Sequence, residues 1–295
     1  LKLIKEKPRA LKYYSHIVMD EAQDMTKAQL LVMSKFTATS PPSIFLTADT
    51  AQKINHGHFS YKGINLDVVG RTFTLNQFVR STKQITVASF DFLKRSNGDQ
   101  LINDYKETKD FRLFGAKNGV KPILKGFKDH NEELDYICER IHEHVNMGVR
   151  LSDIVIAQRH RDFNHSHERV ISRLKQDSIP VVSDKDIDTG EGVVVTTFHS
   201  MKGLEYKVVF LIHLSDDIIP GTRISELPDE ERTERLSEES KLIYVGMTRA
   251  GNWLYLSYSG RPSRFISAYF ARKNFCIEPN LRIHPFLDDI KPEKY

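Results

Sequence analysis

The chain reads as an α/β protein in which mainly parallel sheets carry helices on their faces. Short β-branched runs alternate with helical stretches along most of its length, the pattern of strand–helix–strand units. The runs Ile154–Ala157, Val193–Thr196 and Val208–Ile212 are apolar almost throughout, as buried strands of a parallel sheet are. The apolar run His16-Ile17-Val18-Met19 closes on the adjacent carboxylates Asp20 and Glu21, which places charge at a strand end. With 295 residues, two domains of roughly 150 residues each are expected.

In chain order, residues 1–70 hold two strands, His16–Met19 and Ile44–Leu46. Between them runs a helix containing Ala28, Leu30, Leu31, Met33 and Phe36, and Pro41-Pro42 forms the loop into the second strand. Residues 71–275 form a second, larger domain. There Leu134, Ile137, Ile141 and Val145 repeat at helical spacing within Glu132–Val145. Val170–Leu174 continues into a short helix ending near Ile179-Pro180, and Val181-Val182 follows as a strand. The densely charged stretch Glu226–Glu239 is expected to be a solvated loop and helix face, and residues 276–295 a tail.

Composition narrows the class only a little. Hydrophobic residues make up 40% and charged residues 28%, as in ordinary soluble proteins. No apolar run approaches the roughly 18 to 20 residues of a membrane span, and no secretory signal opens the chain. Cys138 and Cys276 stand alone, without metal-ligand spacing, which predicts a reduced, cytoplasmic protein. A net charge of +4 leans mildly toward a polyanionic partner.

Function is carried by ordered strings. After Asp20-Glu21-Ala22-Gln23-Asp24 comes Ile44-Phe45-Leu46-Thr47-Ala48-Asp49-Thr50-Ala51-Gln52, then Leu75-Asn76-Gln77-Phe78-Val79-Arg80-Ser81-Thr82. Further on stand Phe198-His199-Ser200-Met201-Lys202-Gly203-Leu204-Glu205-Tyr206 and Tyr244-Val245-Gly246-Met247-Thr248-Arg249-Ala250. A bare Asp-Glu pair is usually surface charge. In this company it is not, and the set in this order resembles motifs II to VI of the UvrD/Rep-like branch of superfamily 1 helicases. The likeness extends to Ile154-Val155-Ile156-Ala157-Gln158-Arg159, Ile179-Pro180-Val181-Val182, Ile218-Ile219-Pro220-Gly221 and Arg261-Pro262-Ser263-Arg264-Phe265, and so covers nearly the whole chain.

The resemblance implies two RecA-like domains, the first present in part (1–70) and the second whole (71–275), with ATP in the crevice between them. It implies ATP and Mg²⁺ as cofactors, and single-stranded or partly duplex DNA as partner, traversed 3′ to 5′. Asp20 would hold Mg²⁺, directly or through water, and Glu21 would orient and deprotonate the attacking water. Gln52 would sense the γ-phosphate. Arg80 and Arg249 would be arginine fingers, suited to the task by a permanent, forked charge. Glu205 would accept from the ribose, and Gly203 would let the backbone approach the nucleotide. Thr197 and His199 would face the nucleic acid through salt-sensitive phosphate contacts. Lys202 would either meet nucleic acid or brace its loop.

Departures from the family pattern matter as well. Val79 replaces a Tyr that packs on adenine in relatives, and Asn55 and Gly57 stand where relatives carry base-stacking aromatics. Phe59 or Tyr61 either takes over that stacking, worth roughly 1–3 kcal/mol per base, or serves ordinary packing. About ten residues separate Val182 from Val193, too few for the helical subdomain that larger relatives insert there. The histidines His142, His144, His160, His165 and His167 lack a Cys or carboxylate at ligand spacing, so no structural zinc and a solvated face are expected. No Gly-x-x-x-x-Gly-Lys-Ser/Thr loop occurs and Asp20 lies about 20 residues from Leu1. The chain is therefore expected to be the C-terminal part of a longer motor, catalytically incomplete alone. The alternative is a UvrD-like motor adapted to remodel a protein complex or to serve a defence system.

Overall fold

The computed structural model describes residues 13–39, 41–49, 66, 68, 70–73, 80–97, 117–160, 166–182, 190–266 and 275–277. Gln52, Asn55, Gly57, Phe59, Tyr61, Val79 and His165 lie outside them, as does the tail beyond 277. The chain divides into two compact units, Leu1–Leu75 and Asn76–Tyr295.

In the first unit, β1 (Ile17–Met19) pairs in parallel with β2 (Ile44–Leu46), Ile17 opposite Ile44. Helix α1 (Lys27–Ser34) connects them and opens with a capping box. The Thr26 side chain accepts from the Gln29 N–H, and the Gln29 side chain accepts in turn from the Thr26 N–H, so two otherwise orphaned donors are satisfied reciprocally. Ile17, Met19, Leu30 and Leu66 form the core, with Met25, Met33, Ile44 and Leu46 packed against it. Strand alternation puts Val18 and Phe45 on the other face, where they are 71% and 62% exposed.

The second unit is a seven-stranded sheet in the order β5-β6-β4-β7-β8-β3-β9, parallel at every pairing. The strands are β3 (Ile123–Phe127), β4 (Ile154–Gln158), β5 (Val181–Val182), β6 (Val193–Thr197), β7 (Tyr206–Leu211), β8 (Ala250–Ser259) and β9 (Cys276–Ile277). The central strands β4, β6 and β7 are buried along nearly their whole length, so the continuous apolar runs have their expected cause: helices cover both faces.

One face is closed by α3 (His130–Asn146) and α4 (Ser166–Gln176). Leu134, Ile137, Ile141, Val170 and Leu174 interdigitate there with Ile154, Ile156, Val193, Val195, Val208 and Phe210. Asp129 starts α3 by accepting from the N–H groups of Asn131 and Glu132. The other face carries α2 (Lys83–Asn97) and α5 (Asp229–Thr248), which pack on each other and on β7 and β8. Gly246 allows that approach, because a Cβ there would lie 2.8 Å from Leu211 Cδ2. β5 ends at Val182 and β6 begins at Val193. Among the described residues no helix is long and apolar enough to cross a membrane.

Two expectations need correction. The charged stretch before Glu239 does begin α5 at Asp229, but Glu239 itself is 1% exposed. Arg159, at the carboxyl end of β4, grips it with Nε–Oε2 2.6 Å and Nη2–Oε1 2.7 Å, and Arg235 adds a contact at 3.0 Å. A carboxylate so paired can be buried where a lone one cannot. The histidines are not one solvated face either. His142 and His160 are exposed, but His144 is buried at 1%. Its Nε2 lies 2.8 Å from the Tyr255 hydroxyl, and its ring packs on Trp253.

Candidate functional site

The carboxylate pair sits where β1 stops. Glu21, directly after Asp20, adopts a left-handed backbone (φ 51°, ψ 39°), a conformation that is strained for a residue with a Cβ. The turn is held in place from several sides. Asp20 Oδ1 accepts from the Glu21 N–H at 3.0 Å and from the Thr47 hydroxyl. The Ala22 N–H donates to the Thr47 carbonyl at 2.8 Å, tying the turn to the end of β2. The Thr47 and Glu21 hydrogen bonds hold the Asp20 carboxyl below the usual carboxylate range, so it is ionised at neutral pH. Gln23, 4% exposed, donates to the Glu21 carboxylate and accepts from the Asp49 N–H at 3.0 Å. Thr47 and Gln23 were present in the sequence strings without an assigned role; the signal was their place beside the paired acids.

In the second unit, three strings far apart in sequence meet at the amino ends of β7 and β8. The Ser81 hydroxyl donates to the Ala250 carbonyl at 2.7 Å, and the Thr82 N–H donates to Gly251 at 3.0 Å. The Tyr206 N–H donates to the Arg249 carbonyl at 3.1 Å. Arg80, Glu205 and Arg249 are each the chain neighbour of one of these anchored residues, or the anchor itself. The Arg80 guanidinium pairs with the Glu205 carboxylate, both side chains about half-exposed. Arg249 is buried at 1%, its Nε donating to the Val245 carbonyl at 3.3 Å and its Nη2 3.5 Å from Thr248 Oγ1. Gly203, just before Glu205, has φ +81° with nothing within 4 Å of a built Cβ, so it is backbone geometry that favours glycine there.

Thr197 and His199 lie elsewhere. They follow the carboxyl end of β6, and in a parallel sheet that is the edge opposite the amino ends of β7 and β8. The Thr197 hydroxyl accepts from the Ser200 N–H at 3.3 Å and lies 3.0 Å from Ser200 Oγ, so it shapes the turn that presents His199. Partial burial, then the charge of Arg159, lowers the pKa of the His199 imidazole. Arg159 and Glu239 thus belong to this edge, a connection the sequence did not reveal.

A second polar cluster went unnoticed in the sequence. His130, Glu133 and His213 converge with their potential ligand atoms within 4.8 Å of one another, and no other such group occurs among the described residues. Burial pushes the Glu133 carboxyl up, but the His213 charge and hydrogen bonds from His130, His213 and Ser257 prevail and hold it well below the carboxylate range. A hydrogen bond to Glu133 raises His130.

Residues 174–261 match the family of the UvrD-like helicase C-terminal domain, which bears out the resemblance carried by the strings around Gly203 and Arg249. The chain is 25% identical over 273 residues to a probable DNA helicase of Mycoplasma pneumoniae, covering 85% of this chain and 46% of that protein. It is 28% identical over 171 residues to a probable DNA helicase II homolog of Mycoplasma capricolum, 55% of this chain and 22% of that one. With the ATP-dependent DNA helicase PcrA of Staphylococcus epidermidis it shares 35% identity over 100 residues, 30% of this chain and 13% of PcrA. The chain therefore spans less than half the length of these relatives. Among solved structures, the C-terminal domain of a possible DNA helicase from Lactobacillus plantarum aligns with TM-score 0.46 and 18% identity, over 67% of this chain and 97% of that one.

Proposed function

We propose that the chain is the C-terminal portion of an ATP-dependent DNA helicase or translocase of the UvrD-like kind, a cytoplasmic motor moving 3′ to 5′ along single-stranded DNA. The observation that carries this reading is the meeting of Arg80, Glu205 and Arg249 at one end of a parallel sheet, brought from three separate strings. Two guanidinium groups and a carboxylate that share one edge suit a nucleotide, whose phosphates need cationic partners and whose ribose hydroxyls need an acceptor.

Each unit then has its own task. Asp20 is an ionised, exposed oxygen donor braced by Thr47 and the Glu21 N–H, which fits a hard cation such as Mg²⁺. Bound there with ATP, Mg²⁺ would neutralise phosphate charge. Glu21 takes the proton of the attacking water, and Gln23 fixes its carboxylate. Arg80 exchanges Glu205 for phosphate oxygens when nucleotide is present, which frees Glu205 to accept from the ribose. Arg249 adds a second cation as charge develops, Gly203 keeps the nearby backbone close, and Gln52 reports the γ-phosphate. On the opposite sheet edge Thr197 and His199 contact DNA phosphates without reading sequence, with Phe59 or Tyr61 stacking on bases.

The uncovered Val18 and Phe45 face supports placing the first unit within a larger sheet, since a two-stranded parallel sheet buries too little alone. The 295-residue chain should accordingly hydrolyse ATP negligibly unless joined to the segment that supplies the P-loop. The proposal is tested by displacement of streptavidin from biotinylated single strands by the protein that contains this chain together with its P-loop segment. ATP-dependent release from the 5′ end alone is expected. Release from neither end contradicts a motor, and release from the 3′ end alone contradicts the assigned direction.

A further inference from the structure

We propose that His130, Glu133 and His213 form a site for a divalent transition-metal ion of the Zn²⁺ class. The site joins the first turn of α3 to the exit of β7. It is independent of the motor reading and uses none of the residues assigned to nucleotide or DNA.

The donor set is two imidazole nitrogens and one carboxylate oxygen, which suits borderline cations such as Zn²⁺ rather than Mg²⁺ or Ca²⁺. Its assembly follows from three local features. His130 and Glu133 are three residues apart on α3, so they share a helix face. His213 takes a left-handed backbone, φ 58°, and both its N–H and its ring turn to the same carboxylate. The N–H donates to Glu133 Oε1 at 2.9 Å while Nδ1 lies 2.9 Å from Oε2. His130 Nδ1 is 3.5 Å from that Oε2, and the two imidazoles meet edge to face at 4.6 Å between centroids.

These spacings match a metal polyhedron. Tetrahedral Zn²⁺ with bonds of about 2.0–2.1 Å has ligand–ligand edges of about 3.3–3.4 Å. The two carboxylate–imidazole separations of 2.9 Å and 3.5 Å straddle that value, and the imidazole–imidazole edge, within 4.8 Å, closes by movement of the partly exposed His130 ring. An outer contact is also in place. Ser259 Oγ, 2.7 Å from His130 Nδ1, holds the ligand nitrogen itself until an ion replaces it, whereas the Ser257 hydroxyl donates to Glu133 Oε1 at 2.5 Å, the oxygen turned away from the two imidazoles. The Ser257 contact is of the kind that fixes ligand orientation and tunes affinity. Without an ion the three groups hold one another by hydrogen bonds, so the ligands are preassembled. Binding requires each imidazole to present a bare nitrogen, its proton moving to the other ring nitrogen or to solvent, and the Ser259 contact yields to the metal.

Access and closure are divided among the three. The side chains of Glu133 and His213 are 0% and 5% exposed, whereas that of His130 is 40% exposed. An ion enters past His130, and water takes the fourth position on that side.

The test is titration of the chelator-stripped 295-residue chain with Co²⁺, read by its visible absorption, followed by displacement with Zn²⁺. One equivalent of Co²⁺ with a tetrahedral-type spectrum, displaced by Zn²⁺, is expected. His130→Ala, at a half-exposed position, should keep the native circular dichroism and weaken binding about tenfold or more. His142→Ala, at an exposed histidine outside the cluster, should leave it unchanged. No such spectrum on the folded chain, or equal affinity in His130→Ala, overturns the proposal.

Discussion

Arg80 and Glu205 are 125 positions apart, yet the guanidinium of one rests on the carboxylate of the other at the amino end of β7. Both are about half-exposed, and an exposed pair of this sort contributes little to stability. Its meaning lies in exchange: each partner has a better one in a nucleotide. Arg80→Ala in the complete motor should therefore leave folding intact and cut ATP turnover by about 10³. Binding should suffer much less, because the charge it neutralises develops in the transition state. Glu205→Ala should act mainly on KM. Steady-state kinetics of both variants check this; an Arg80→Ala protein with raised KM and unchanged kcat would make Arg80 a ground-state binder.

Arg249→Ala should also cut turnover by about 10³, but with a stability cost that Arg80→Ala lacks, since Arg249 is 1% exposed and bonded to the Val245 carbonyl. Thermal unfolding of the two variants side by side separates them. Equal melting temperatures would mean that Arg249 is not held as described.

Breaking the Arg159–Glu239 pair should be costly. Arg159→Ala removes the two-pronged partner of a carboxylate that is 1% exposed and leaves it the Arg235 contact at 3.0 Å, and removing one partner of a buried pair costs about 3 kcal/mol or more. Arg159→Met combined with Glu239→Leu should recover most of that loss, because no stranded charge remains. Urea denaturation of the single and double variants decides it; a double variant as unstable as Arg159→Ala contradicts the argument.

The fold was legible where hydrophobic pattern was strong. Ile154–Gln158 is buried from end to end and Val193–Thr197 at all but its last residue, and their sequences say so. β8 was missed, although it is the longest strand at ten residues, because Gly251 and Asn252 open it and Ser257 and Ser259 interrupt it. α2 was missed because Thr86 and Ser89 interrupt the apolar residues Ile85, Ala88, Phe92 and Leu93 on its buried face. Of the site, the strings named Asp20, Glu21, Arg80, Glu205 and Arg249, but not that the last three meet. Long-range convergence has no signature within a single window. Glu133 and Glu239 looked like surface charge for the same reason: their partners, His213 and Arg159, are each 80 positions away.

His144 predicts a pH dependence. Burial, then the nearby Arg140 charge, lowers its pKa to about 4 from 6.5, so the folded state keeps it neutral. Between these values the unfolded chain binds the additional proton, and stability therefore falls as pH drops below about 6.5, the loss growing until about pH 4. At pH 5 this amounts to about 2 kcal/mol relative to pH 7.5. Denaturation of wild type and His144→Phe at both values checks it: the wild type should lose about that much more on acidification. Parallel losses would show that His144 titrates normally.

The most direct test of the account is steady-state ATP hydrolysis by the complete motor, with and without single-stranded DNA, in wild type and Glu21→Gln. Glutamine keeps the shape held by Gln23 but cannot take a proton. DNA-stimulated turnover in the wild type is predicted, together with its abolition in Glu21→Gln while ATP still binds. Turnover indifferent to DNA, or a Glu21→Gln protein that hydrolyses ATP like the wild type, would contradict it.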